Sequence, residues 1–307
     1  MKKYLGIFLL FIPLFCLAWG FLAHKEINRQ AVYTLPHEMQ DFYKKHIDFI
    51  SDNAVTPDRR KYVIEEEGQR HYIDLDKYPV IIHNWKDAVA HYTQDTLYKY
   101  GTVPWYIQKV KYMLIKAFVE KNTERILRLS ADMGHYIADA NVPLHTTSNY
   151  DGQFTDQKGL HSFWETRLPE LYMKDYKLNV AKATYITDTQ MEAWKAVFRA
   201  NKALDSVLVF EQKLNKKYTP EKKYAMEDRN GKKVKAYSKE YSQAYHKMLK
   251  GMVERQMRCA IKMTGDFWYT CWVDAGQPDL SKLPEPIFEK EEWETMTPPP
   301  RKQQGGE

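Results

Sequence analysis

The chain has 307 residues, 44% of them hydrophobic and 14% aromatic, with a net charge of +6. That is the length of one large domain or two small ones, with enough apolar material to bury a sizeable core. The charge is mild, which tolerates a phosphate-bearing substrate but argues against a surface that wraps nucleic acid.

The N-terminus reads as a secretory signal. Met1-Lys2-Lys3 is a short basic region, residues 4–17 are an apolar run, and Cys16-Leu17-Ala18 supplies a small-x-small cleavage pattern. The run is shorter than the roughly 20 residues a membrane span needs. Phe15, directly before Cys16, is too large for lipoprotein processing. Cleavage after Ala18 would make Trp19 the new N-terminus of a periplasmic or secreted protein. Losing Lys2 and Lys3 takes the charge of +6 to about +4. Cys259 and Cys271 then remain, twelve residues apart in a helical pattern. Twelve helical residues rise about 18 Å, beyond disulfide reach, so this is not a disulfide scaffold.

Helical periodicity dominates from there on. Ile27, Ala31, Val32 and Leu35 recur at helical spacing, and after Pro36 a second helix is expected over about 37–50, carrying His37 and His46 as surface or half-buried residues. A loop around Asn53–Arg60 holds Asp58, and a charged stretch leads to His71-Tyr72-Ile73-Asp74. His83, Asp87, His91 and Asp95 recur every four residues, so they are expected to share a helix face, and by spacing alone they are a rival metal site. Helix-surface His–Asp neighbours are common, and no further ligand lies near them in sequence. Helices are expected over about 104–119, from Asn122-Thr123 to Asp139, from His161 to near Pro169, over about 187–215, and over about 238–272, with His246 on the surface. The methionine and aromatic stripe of the last reads as core. Residues 216–235 are charged and carry an Asn230-Gly231 turn signal. Strand signals are almost absent, with no Gly-rich phosphate loop and no nucleophile elbow. The expectation is an all-α fold: signal peptide 1–18, one multi-helix domain 19–290, and a disordered tail 291–307 rich in Glu, Pro, Lys and Gln.

The chemistry concentrates between His135 and Glu165. Asp139 follows His135 by four residues, and Glu165 follows His161 by four. On a helix such pairs share a face, about 5–6 Å apart at Cβ, so each can close on one metal ion. Imidazole and carboxylate are the ligands zinc takes where cysteine is absent. Val142-Pro143-Leu144 ends the first helix and presents His145 from a turn. One such pair alone would be a solvated helix histidine. Two pairs, a histidine between them and Asp58 and His71 upstream read as a metal site.

As a set, these residues resemble the superfamily of zinc-dependent bacterial phospholipases C and zinc-dependent single-strand nucleases of fungi and plants. The motifs are Trp19 and His24; Asp58 and His71; His135, Asp139 and His145; and His161 with Glu165. The resemblance spans roughly Trp19 to Pro169. It implies three zinc ions in a cleft between helices: one on Asp58, His71, His135 and Asp139; one on His145, His161 and Glu165; one on His24, Asp139 and Trp19, the last through its α-amine and carbonyl oxygen. It further implies phosphodiester hydrolysis by a zinc-bridging hydroxide, with Asp58 and Asp139 as the catalytic carboxylates.

The substrate is read two ways. Glu165 resembles the phospholipases, whereas the five-residue step from Trp19 to His24 resembles the nucleases. Tyr72 and Asp74, directly after His71, are candidates for stacking on and hydrogen bonding a base; otherwise Tyr72 packs and Asp74 braces a ligand histidine. Asn149-Tyr150-Asp151-Gly152-Gln153 stands where the nucleases carry a glycine- and asparagine-rich segment. The expectation is a phospholipase C-like phosphodiesterase, with a single-strand nuclease or 3′-nucleotidase as the alternative. The partner is a phospholipid or a single-stranded nucleic acid, with peripheral membrane contact for the former and no protein partner. From another class, zinc could be a structural staple in a non-catalytic periplasmic protein. Structural zinc sites are closed and often Cys-rich, which this one is not.

Overall fold

The computed structural model describes residues 20–229 and 231–296. The expected signal peptide, Trp19, Asn230 and residues 297–307 lie outside them. The described chain is all-α apart from one hairpin. Its helices are α1 (Gly20–Val32), α2 (His37–Lys45), α3 (Ile47–Asp52), α4 (Thr56–Arg60), α5 (Trp85–Tyr92), α6 (Gln94–Tyr100), α7 (Val103–Val119) and α8 (Thr123–Asp139). There follow α9 (Leu160–Ser162), α10 (Leu168–Tyr172), α11 (Thr189–Asn215) and α12 (Pro220–Lys223). Strands β1 (Tyr224–Arg229) and β2 (Lys232–Tyr237) pair antiparallel, and α13 (Lys239–Met248) and α14 (Met252–Asp274) close the fold. No helix among the described residues is long and apolar enough to cross a membrane.

Local chemistry sets the boundaries. Asn122 accepts a hydrogen bond from Arg125 N at 3.0 Å and Asp188 one from Met191 N at 2.9 Å, capping α8 and α11; such caps contribute about 1 kcal/mol each. The helix expected over 37–50 is broken at His46 (φ −110°, ψ 18°). Thr93 has φ 66° and divides α5 from α6, so His83, Asp87, His91 and Asp95 do not share one helix face. His83 packs its ring 5.1 Å from that of Trp194 instead. The helix expected over 238–272 is two, because Lys250 (φ 50°) and Gly251 (φ 73°) turn the chain in the left-handed region, which glycine enters freely. The charged stretch at 216–235 forms the hairpin, with Tyr224 opposite Tyr237 and Arg229 opposite Lys232. Residues 292–295, within the expected tail, form a turn of 3-10 helix. His246, expected on the surface, stacks on Tyr172 and bonds Tyr176 Oη at 2.9 Å.

Two apolar clusters build the interior. One gathers Leu35, Tyr43, Phe118, Trp194 and Trp268; the other gathers Ile27, Phe163, Trp164, Tyr245 and Ile261. Trp164, Trp194 and Trp268 are fully buried, and truncating any of them to alanine would cost about 3–5 kcal/mol. Helix α8 passes from the first cluster (Tyr136, Ile137) to the second (Ala138) within its last turn. His135 and Asp139 therefore stand at the seam. Helix α1 approaches α8 closely there because residue 134 is glycine: a Cβ on it would sit 1.8 Å from Asn28 Oδ1. Asn28 locks the approach by donating to Ala131 O at 3.1 Å and Ile50 O at 3.3 Å. Four residues earlier on α1, His24 meets His135 and Asp139.

Candidate metal centre

Three groups of ligand atoms form at this seam: His24, His135 and Asp139; Asp58, His71 and His135; and His145, His161 and Glu165. Within each group the ligand atoms lie within 4.8 Å of one another. Asp139 ties them together. Its Oδ2 is 2.9 Å from His71 Nδ1 and 3.1 Å from His135 Nε2, and its Oδ1 is 3.5 Å from both His24 Nε2 and His145 Nδ1. His24 stacks on His135 with ring centroids 4.0 Å apart. All are buried except His161, which is half-buried. Trp19 lies outside the described residues, but Gly20 packs against Thr166, beside Glu165, closely enough that a Cβ would meet Thr166 Cγ2 at 2.9 Å.

The backbone arranges which nitrogen of each ring faces inward. His135 Nδ1 lies 2.8 Å from Ala54 O, His145 Nδ1 2.8 Å from His71 O, and His161 Nδ1 3.2 Å from Tyr150 O. A carbonyl only accepts, so each Nδ1 carries the proton and each Nε2 keeps its lone pair for the interior. His71 is turned the other way: Nδ1 faces inward and Nε2 lies 3.7 Å from Glu67 Oε1. The inward atoms then crowd. His145 Nε2 is 3.1 Å from His161 Nε2, and His161 Nε2 is 2.6 Å from Glu165 Oε1. Two lone-pair nitrogens and a carboxylate oxygen repel unless a proton or cation lies among them. His24 Nε2, Asp58 Oδ2 and Asp139 Oδ1 are buried without a hydrogen-bond partner among the described residues, which is costly unless something positive meets them. The donor set is all nitrogen and oxygen, as borderline and hard divalent cations prefer, and the residues fit a metal cluster.

The π-helical turn Phe163–Arg167 carries Glu165 and joins α9 to α10. A π-turn absorbs an extra residue where the regular bond pattern fails, and Pro169, two residues on, has no N–H to give. The helix thus runs on to Tyr172 rather than stopping near Pro169.

Electrostatics follows the same plan. Burial, then the neighbouring His135, push the His24 pKa down to about 3, so its ring is neutral at any ordinary pH. Burial also opposes charge on His145, but Asp139 and Glu165 outweigh it and lift the pKa to about 9. Burial would raise Asp58, Asp139 and Glu165, yet the surrounding histidines, with Lys61 beside Asp58, hold all three below the ordinary carboxylate range. A metal binding at His145 must displace its proton, so affinity rises with pH and levels off above about 9, the raised metal-free pKa. Competition against a chromophoric chelator across that range checks this; a flat profile would contradict it.

A cavity of about 380 Å³ opens over the cluster, lined among others by Lys61, His71, Tyr72, Asp74, His145 and Tyr150. Asp74 does not brace a histidine. Among the described residues no hydrogen bond reaches its carboxylate, and burial, helped by Asp76, lifts its pKa to about 7. Tyr72 is half-buried and its hydroxyl donates to Lys99 O at 3.3 Å. Lys61, Glu67 and Asp151 were not singled out by sequence. Lys61 Nζ holds Asp58 Oδ1 at 2.8 Å, and Asp151 Oδ1 accepts from His161 N at 3.2 Å. Glu67 is fully buried, gripped by Arg60 at 3.1 Å, Arg70 at 2.5 Å and the Tyr136 hydroxyl. It stands four residues before His71, the spacing that exposed the other pairs. His83, Asp87, His91 and Asp95 join none of the three groups.

No protein-family model matches the chain, and no curated protein does. Solved structures do. The alpha-toxin of Clostridium perfringens from avian strain SWCP aligns with a TM-score of 0.51 at 13% identity, covering 85% of this chain. The alpha-toxin of Clostridium absonum aligns with a TM-score of 0.51 at 14% identity and the same coverage. This chain spans 64% of the length of each toxin. At these identities the likeness concerns the backbone: the chain has an alpha-toxin-like, all-α fold, and its buried histidines and carboxylates are grouped so that they can hold metal.

Proposed function

We propose that this protein is a zinc-dependent phosphodiester hydrolase of phospholipase C type. The observation that carries the proposal is the convergence of three imidazole–carboxylate groups on Asp139 beneath an open cavity. The alpha-toxin-like fold supports it. A structural staple has no need of a cavity over its ligands, whereas catalytic zinc sites keep a position open to substrate.

In this reading zinc is held by Asp58, His71, His135 and Asp139, by His145, His161 and Glu165, and by His24, Asp139 and the α-amine and carbonyl of Trp19. Gly20, the first described residue, packs against Thr166, beside Glu165. A free α-amine at Trp19 requires export and cleavage after Ala18, and hence a periplasmic or secreted protein. When bound, zinc supplies Lewis acidity: it draws charge from phosphoryl oxygens and makes water acidic near neutral pH. The chain's own residues do the rest. Asp58, kept anionic by its neighbours and with Oδ2 unpartnered, accepts a hydrogen bond from the attacking water and aligns it with phosphorus. Asp139 holds the ligand groups at fixed separation. Lys61, at the rim, adds positive charge for the phosphate.

The second reading, a single-strand nuclease, is favoured by Tyr72 and Asp74, which line the cavity next to His71. A ring and an unpaired carboxyl there would stack on a base and bond its edge. The two readings separate when the processed protein is offered phosphatidylcholine and single-stranded DNA side by side, with and without a zinc chelator. Chelator-sensitive release of phosphocholine is expected. Chelator-sensitive cleavage of DNA alone would transfer the assignment to the nuclease reading, and cleavage of neither would sink both.

A further inference from the structure

Positive charge is unevenly distributed in this molecule. Between Lys213 and Lys239 ten lysines and arginines face three acids, a surplus of seven, while the whole chain carries +6. The segment is the end of α11, the short α12, the β1–β2 hairpin and the start of α13. Lys216, Lys217 and Lys222 on the approach and Lys232 and Lys233 on the second strand are exposed and form no ion pair among the described residues. Such clustering is opposed by self-repulsion and needs an anionic counterpart to be useful.

We propose that this basic hairpin and its approach form a docking element for an anionic phospholipid surface. The chemistry favours a membrane over a nucleic acid. Single-strand binding surfaces interleave cations with open aromatic faces, and the rings here are covered. Lys235 lies over the Tyr224 ring at 4.1 Å, and Tyr237 stacks on Phe163 at 3.8 Å. The open apolar side chain is Met226, 62% exposed and paired across the strands with Lys235. A flexible apolar group among lysines suits the boundary between headgroups and acyl chains.

The hairpin is mounted on the segment that carries two candidate metal ligands. Arg167 Nε donates to Tyr237 O at 3.1 Å, and Arg167 Nη1 meets Glu227 at 2.9 Å. Arg229 reaches Glu170 at 2.8 Å. Arg167 and Glu170 follow Glu165 within five residues, so a docked hairpin stands in fixed relation to His161 and Glu165. Docking is independent of hydrolysis; its use in bringing the cavity to lipid rests on the phospholipase reading.

The test is co-sedimentation of the processed full chain with vesicles of phosphatidylcholine alone and of phosphatidylcholine containing a third of phosphatidylglycerol. Binding to the anionic vesicles is expected, with loss at high salt. The pairs Lys232→Gln/Lys233→Gln and Lys216→Gln/Lys217→Gln should each lower partitioning about 25-fold, from about fivefold per lysine. Hydrolysis of a soluble short-chain phosphatidylcholine should be unchanged in both. Equal binding to neutral vesicles, or indifference to these substitutions, would overturn the proposal. So would retention on single-stranded DNA, but not on vesicles, through the same lysines. Failure to cleave the soluble lipid would count against the phospholipase reading and leave the docking result standing.

Discussion

Asp139→Asn is expected to abolish measurable hydrolysis, lowering turnover by about a thousandfold or more, and to reduce bound zinc. The argument is geometric. Asp139 places one oxygen beside His71 and His135 and the other beside His24 and His145, so it touches all three ligand groups. An amide keeps the shape but offers one neutral oxygen and a pair of N–H donors that cannot face a cation. Metal-borne charge stabilisation is worth several kcal/mol, and each 1.4 kcal/mol is about tenfold in rate. The apo variant should keep its helical circular dichroism, because the apolar clusters on either side of α8 are untouched. A variant with undiminished zinc and activity would mean that Asp139 is a bystander.

Chelation should destabilise the protein strongly. The interior holds Asp58, Asp139 and Glu165 among five histidines, almost wholly out of water. Without cations these groups are compensated only by protons and by one another, and buried charge that loses its partner is costly. One site at a thousandfold its dissociation constant contributes about 4 kcal/mol. At about 2–4 °C per kcal/mol for a domain of this class, removing the metals should lower Tm by about 10 °C or more. Thermal unfolding at constant pH, with chelator and then with zinc restored, measures this. A Tm indifferent to both would show that the cluster folds and persists on protons alone.

How far the site could be read from sequence depended on distance along the chain. His135–Asp139 and His161–Glu165 declare themselves because helical geometry turns a spacing of four into proximity. Asp58 and His71 come from separate short elements, and His24 comes from a helix brought to α8 by Gly134 and Asn28. No local pattern contains those contacts: the sequence offers Asp58 and His71 as a loose upstream pair, and only the resemblance adds His24. Glu67 stands in a run of charged residues that carries no burial signal; its burial depends on Arg70 of its own turn and on Arg60 and Tyr136 from other helices. The long helices were clear from their apolar period, yet the breaks at His46, Thr93 and Gly251 were not, because backbone torsion leaves little mark on composition. Of the hairpin only the Asn230-Gly231 turn signal is legible, because strands rich in lysine, glutamate and aspartate run against strand propensity. The hairpin is held instead by Arg167 and Glu227 and by the stacking of Tyr237 on Phe163.

The most direct test of the account is the zinc content of the purified chain beginning at Trp19, measured by elemental mass spectrometry against protein concentration. Three ions per chain are predicted from the three ligand groups. A chain that retains none, and takes up none from a zinc buffer, would contradict the metal centre and every functional statement built on it.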